Sequence, residues 1–198
     1  YTKSPQLNRK KTVQSEFSST FNHANSALVN NVSTSYSHKN WGSLTSISYS
    51  NFGDIRIGKN RKHGFPDWGL TPTYSRNSRD KYAEAPTPNS DPNIQKNTAY
   101  DQIDVFQKFL FRLPRDMVFN VNLQYSESSD IDRYDKLVEE RSDLLRFSEW
   151  YYGPQKRFFF SPQLKFFSGK NWLKKGTLTA AYQNVEESRV NRKFGSLT

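Results

Sequence analysis

Residues 102–125 read QIDVFQKFLFRLPRDMVFNVNLQY. Two runs of alternating residues flank the hinge Leu113-Pro114-Arg115-Asp116. One parity carries Ile103, Val105, Phe109 and Phe111, then Phe119, Val121, Leu123 and Tyr125. The other carries Asp104, Lys108 and Arg112, then Asn120, Asn122 and Gln124. Side chains of a strand alternate between its two faces, so this pattern predicts a hairpin with one apolar and one polar face. What covers the apolar face, a second protein layer or lipid, decides the fold.

Working outward, the same period recurs. Strands are predicted over 12–21 (Val13, Phe17, Phe21), 28–37 (Leu28, Val32, Tyr36) and 43 to about 57 (Thr45, Ile47, Tyr49). Two more are predicted over 155–167 (Phe158, Phe160, Leu164, Phe166) and from 175 past Tyr182 towards Val190. In the first strand Ser15 and Ser19 share the apolar side. Pro162 sits inside a strand, where it cannot donate to the ladder, and implies a bulge or a local break. The connections are short at 22–27, 38–42, 113–116 and 168–174, and long at about 58–100 and 126–154. Within the second long loop, Leu137, Arg141, Leu144 and Leu145 have the spacing of a short amphipathic helix over 134–146, with Asp135 or Ser142 as caps.

The composition fits two readings. The 198 residues are 34% hydrophobic and 15% aromatic, with a formal charge of +10. The mean hydropathy is −0.89. The aromatics exclude a disordered chain. There is no cysteine, hence no disulfide framework and no thiolate metal site. No apolar run approaches the roughly 20 residues of a membrane helix. A soluble β-sandwich, such as a lectin-like carbohydrate-binding module, alternates just as well. Long strands, with short turns at one end and long loops at the other, favour an up-and-down transmembrane β-barrel, whose polar lumen lowers the hydropathy.

Four segments resemble TonB-dependent outer-membrane receptors of the Bacteroidetes type. Tyr1-Thr2-Lys3-Ser4-Pro5 resembles the TK-x-P segment between plug and barrel. SSDIDRYDKL (128–137) and LRFSEWYYGPQKR (145–157) are similar to a recurring loop and re-entry block, and SLTSISYSNFGDIRIG (43–58) to the strand that climbs into a long second loop. The resemblance implies a plug-to-barrel junction over 1–11 and, over 12–198, about seven strands of a larger antiparallel barrel of about 22. Tyr1 is not a natural start, so a processed product or a fragment is expected. The resemblance further implies residence in the bacterial outer membrane, a TonB partner reached through the missing N-terminal part, lipid and lipopolysaccharide around the wall, and a surface lipoprotein partner. It implies import of a ferric siderophore, haem or a glycan, with no enzyme activity and no resident cofactor.

On that reading Ile103, Val105, Phe109, Phe111, Phe119, Val121, Leu123, Phe158, Phe160 and Leu164 face lipid. Asp104, Lys108, Arg112, Asn120, Asn122 and Gln124 face the lumen. Trp41, Trp172 and Tyr125 are girdle aromatics at the headgroups. Arg56, Lys59, Arg61, His63 and Trp68 in the first long loop, and Tyr134, Arg141 and Trp150 in the second, are the ligand-binding candidates. The mixed basic and aromatic loop 55–69 suits anionic chelates or lipopolysaccharide phosphates better than nucleic acid. Of His23, His38 and His63, only His63 lies deep in a long loop, and no pair has metal-ligand spacing. Glu139-Glu140 and Glu186-Glu187 are adjacent and point apart. No nucleophile elbow, phosphate loop or zinc signature occurs.

Overall fold

The structure, a computed structural model, describes residues 3–62, 64–76, 85–170 and 173–196. It is all-β. One antiparallel sheet contains β1 (Thr12–Asn22), β2 (Ala27–Ser37), β3 (Trp41–Phe52), β4 (Tyr100–Arg112), β5 (Val118–Ser128), β6 (Lys156–Lys170) and β7 (Leu173–Thr179), in that spatial order. β8 (Tyr182–Glu186) continues β7 along the same neighbour, β6. The sheet is open: among the described residues nothing pairs with the outer edge of β1 or of β7.

The central registers run without interruption. Trp41↔Phe111 through Phe52↔Tyr100 join β3 to β4, and Gln102↔Ser128 through Arg112↔Val118 join β4 to β5. Unbroken register puts every alternating set on one side. The set of Phe17, Val32, Ile47, Val105, Phe109, Val121, Leu123, Phe160 and Leu164 lies on one face. Gln14, Glu16, Ser33, Ser46, Asp104, Asn122, Gln124 and Gln163 lie on the other. This second face, which also carries Leu44 and Phe106, encloses a hollow of about 590 Å³ whose lining draws on β1 to β6. It is therefore the concave side, and the apolar rows cover the convex side. Phe17 is 67% exposed and Ile47, in mid-sheet, 47%. Soluble domains place these faces the other way round, because apolar surface left in water is unfavourable.

Serines and threonines on the convex side satisfy one another. The hydroxyls of Ser15 and Thr34 lie 3.0 Å apart, and Thr45 Oγ1 donates to Gln107 Oε1 at 2.6 Å. Gln107 Nε2 in turn donates to the Lys108 carbonyl at 3.0 Å. Ser15 is thus compatible with an apolar surround.

At Pro162 the outcome is a break without a bulge. The partners Gln163↔Thr179 and Phe160↔Tyr182 keep one register across the gap between β7 and β8. The Pro162 carbonyl still accepts from Ala180 N at 3.1 Å. The missing return bond is replaced by Ser161 Oγ, which donates to the Ala180 carbonyl at 3.0 Å. A bulge does occur lower down, between Phe167 and Lys170.

Several sequence expectations are corrected. The third strand does not run to Ile57: it leaves the sheet at Phe52, and Ile55–Arg56 pair with Ile94–Gln95 instead. At Gly53 a Cβ would meet the Asn25 carbonyl at 2.8 Å, so the β1–β2 turn crowds the chain where it departs. The last strand does not reach Val190 in the sheet: Arg189–Lys193 turns away and pairs with Phe147–Tyr152. The helix expected over 134–146 spans only Tyr134–Leu137, with no side-chain cap. Beyond it Glu140–Arg141 and Leu144–Leu145 form a hairpin turned by Ser142 (φ 53) and Asp143 (φ 61), so Ser142 serves a turn and caps nothing. Within the described residues the long loops carry their own small sheets, also joining Thr73–Tyr74 to Thr87–Pro88 and Ile131–Asp132 to Phe147–Tyr152.

Candidate functional site

The site has two parts, the concave hollow and the loop cap above its long-loop end. The segment entering β1 crosses the hollow. Lys3 Nζ lies 3.0 Å from Glu16, and Lys108 Nζ donates to the Lys3 carbonyl at 3.1 Å. A Cβ at Gly42 would meet the Gln6 carbonyl at 2.8 Å, so this crossing requires glycine there. Beside it, Asn31 Nδ2 donates to Ser46 Oγ at 2.8 Å and Ser48 Oγ at 2.7 Å. Gln102 Nε2 donates to both oxygens of Asp104 at 3.0 Å. Asp104, Lys108, Asn120, Asn122 and Gln124 all lie on this concave side, with Arg112 at its short-turn end. Such a surface offers hydrogen-bonding partners to water or to polar groups.

The convex side is banded. Ile103, Val105, Phe109, Phe111, Phe119, Val121, Leu123, Phe158, Phe160 and Leu164 form its body. Towards the long loops it ends at tyrosines: Tyr49 OH donates to Asp101 at 3.1 Å, and Tyr125 OH to Glu127 at 2.5 Å. Glu127 also pairs with Lys156 at 3.6 Å. At the other end the Tyr36 and Trp41 rings pack at a tilt of 34° with centroids 4.5 Å apart. Trp41 to Tyr49 is eight residue steps on β3. That is about 27 Å of strand, or about 21 Å along the sheet normal to a bilayer at a tilt near 40°, close to the apolar band of an outer-membrane wall. Trp172 lies outside the described residues.

The loop cap holds a hydrophobic core of its own: Leu137, Phe147 and Trp150, with Tyr152 packed against them. Arg133 lies over the Trp150 ring at 4.6 Å, and the Arg192–Glu149 pair, 12% and 13% exposed, closes at 3.0 Å. The first long loop docks onto the second. Thr71 Oγ1 and Tyr134 OH are 2.8 Å apart, and the Ser75 hydroxyl donates to the Ser148 carbonyl. Asn89 pins the loop by donating to the Thr71 carbonyl at 2.8 Å and the Ile94 carbonyl at 2.9 Å.

The ligand-binding candidates separate accordingly. Trp150, expected at a binding surface, is 7% exposed and belongs to the cap core. Tyr134 is committed to docking. Arg56 pairs with Asp91 at 2.6 Å; hydrogen bonds from Asn93, then Arg56, hold that carboxyl down to about 2. Arg61 braces the turn, donating to the Trp68 carbonyl at 3.2 Å and Asn93 Oδ1 at 2.9 Å. What the brace presents is Trp68, 68% exposed, and Phe65, 67% exposed, beside exposed Lys59. Arg141 is exposed on the separate hairpin. His63 lies outside the described residues; His23 is exposed in the β1–β2 turn and His38 half-buried in the next. Among the described residues no group of three or more His, Asp or Glu is arranged to hold a metal ion.

Sequence reading missed a half-buried carboxyl at the joint between sheet and cap. Burial, and then the nearby Asp130, Asp54 and Glu149 charges, push Asp132 up to about 6, against one hydrogen bond from Asn97 at 3.3 Å. No local signal marks it, since its surroundings come from four separate segments. Comparison with known proteins adds no family: no protein-family model, curated protein or solved structure matches this chain.

Proposed function

We propose that this chain is wall and loops of a TonB-dependent receptor in the bacterial outer membrane, importing a scarce ligand such as a ferric siderophore, haem or a glycan. One observation carries the reading: a curved antiparallel sheet whose convex side is mainly apolar, while its concave side collects the charged and amide side chains together with Leu44, Phe106, Leu110 and Phe159. Lipid makes that arrangement favourable, because hydrocarbon covers the convex rows while a water-filled lumen hydrates the concave ones. The banding of tyrosine, Trp41 and rim charges supports the same orientation, with the long loops outside and the short turns in the periplasm.

On this reading the sheet is about a third of a barrel of about 22 strands, and its open edges continue into neighbouring strands. Asp104, Lys108, Asn122 and Gln124 hydrate the channel and contact a plug. The exposed Lys59, Phe65 and Trp68 of the braced turn receive ligand or a surface lipoprotein. TonB energises the plug from the inner membrane. A lectin-like sandwich would need a second layer over Ile47, Val105 and Val121, and none of the described residues supplies one.

Cell fractionation tests the proposal. The full-length product should remain in the detergent-insoluble outer-membrane fraction and migrate anomalously on gels unless boiled. A freely soluble monomer ends the reading. Growth of a deletion strain on single iron or glycan sources then identifies the ligand class.

A further inference from the structure

The short-turn end of the sheet carries a charge pattern that the receptor reading does not require. Lys10 and Lys11 enter β1, Lys39 lies in the β2–β3 turn, Arg112 ends β4, Arg115 lies in the β4–β5 hinge, and Lys174 follows the first residue of β7. All are exposed. The only acid among the described residues of these turns is Asp116. The long-loop end is mixed in sign, with Asp101, Glu127, Glu186 and Lys156 on its convex rim. The cationic end is therefore not a by-product of the chain's overall positive charge.

A groove opens on the convex side at that same end. It has a volume of about 400 Å³ and is lined by Trp41, Phe109 and Phe111, with Asn40, Arg112 and Leu113 at the turn. Its floor is aromatic: Phe109 and Phe111 lie 6.2 Å apart, and Phe111 and Phe119 6.4 Å. The Arg112 backbone N–H donates to the Asn40 carbonyl at 2.7 Å, which fixes the two turns side by side. Lys39 and Arg115 belong to those two turns. Arg115 takes a left-handed backbone (φ 59) at the tip of its hairpin. Apolar groove and cationic mouth thus meet at the level of Trp41, the ring type that marks a headgroup boundary.

We infer that this place is a binding site for an anionic phospholipid of the surrounding bilayer, one acyl chain in the Trp41–Phe109–Phe111 groove and the phosphodiester on Lys39 and Arg115 of the two turns that border it. The occupant follows from complementarity. A cationic cluster beside hydrocarbon-facing aromatics suits a molecule with an anionic head and an apolar tail, and guanidinium groups bind phosphate oxygens in a bidentate fork. A zwitterionic lipid fits the groove equally but gains little from the charges. Near a membrane surface each cation contributes about a fivefold preference for anionic lipid. The inference rests on the lipid-facing reading of the convex side.

Quenching of Trp41 fluorescence tests it and separates the two claims. The full-length protein is reconstituted in equimolar phosphatidylglycerol and phosphatidylcholine, with bromine on the acyl chains of one lipid or the other. The Trp41 signal is the difference between the wild type and W41F. Brominated phosphatidylglycerol should quench Trp41 at least about fivefold more effectively than brominated phosphatidylcholine. The preference should vanish in the Lys39→Gln, Arg115→Gln double variant. It should also collapse for the wild type near 1 M salt, where the Debye length is about 3 Å. The salt arm covers the case in which the double variant does not insert. Equal quenching by both lipids, or a preference that survives both treatments, overturns the site while leaving the membrane reading intact. No quenching by either lipid overturns both.

Discussion

Val121→Arg probes the depth of the apolar band. Val121 lies on the convex side of β5, flanked by Phe109 and Pro162. It is four residue steps from Tyr125 at one boundary, or about 14 Å of strand and about 10 Å of depth at a tilt near 40°. That is close to the middle of the band, where arginine on a lipid-facing position costs about 2–4 kcal/mol. The folding equilibrium should fall about 30-fold to 700-fold. Gln124→Arg, on the same strand but in the concave hollow, should cost less than about 1 kcal/mol, since a lumen keeps the guanidinium hydrated. Urea titration of the protein in phosphatidylcholine vesicles, read by tryptophan fluorescence and by heat-modifiable migration, gives both values. Equal costs would refute the two-solvent reasoning. A larger cost at Gln124 would mean that the concave side is a dry core, and a free Val121→Arg that the convex side meets water.

Three further outcomes follow from named contacts. Ser161→Ala should destabilise by about 1 kcal/mol by stranding the Ala180 carbonyl, and adding Pro162→Val should recover most of it by restoring the ladder N–H, as urea midpoints would show. Asp132 sits at about 6 when folded against 3.8 ordinarily, so it binds more protons folded than unfolded between those values. Its contribution to stability is present below about 4, falls as pH rises and is lost above about 6. Asp132→Asn should therefore raise the melting temperature at pH 7 and leave it unchanged near pH 3.5, checked by thermal scans. Arg192→Leu strips the partner from the nearly buried Glu149; the resulting cost of about 3–5 kcal/mol should free Arg189–Lys193 and expose the cap to limited proteolysis.

The bodies of the strands were legible because period two is a local property. Phe119 to Tyr125 alternates strictly and Ile103 to Phe111 does so apart from Phe106, Gln107 and Leu110, and uninterrupted register carries that alternation across the sheet. What was illegible depended on partners distant in sequence. Nothing between Ser43 and Ile57 says that the chain leaves the sheet at Phe52, because the cause is crowding by the β1–β2 turn and pairing with Ile94–Gln95. The turns at Arg115-Asp116 and Ser142-Asp143 use left-handed backbone without glycine, so neither advertises its geometry. At Leu144 and Leu145 helical spacing misled, since two leucines in a tight hairpin give the same count. Trp150 was read as a surface aromatic because its core comes from Leu137 and Phe147, brought together only by the cap.

The departure of Arg189–Lys193 from the sheet has a mechanical consequence. The cap is fastened to β5 through 128–131, to β6 through 152–156 and to β8 through 186–189. These are neighbouring strands of one rim, so three chain crossings and the pairing of Arg189–Lys193 with Phe147–Tyr152 moor the cap to that side of the sheet. On the proposed receptor reading, a vestibule tied down by three tethers leaves gating to elements that are less firmly moored.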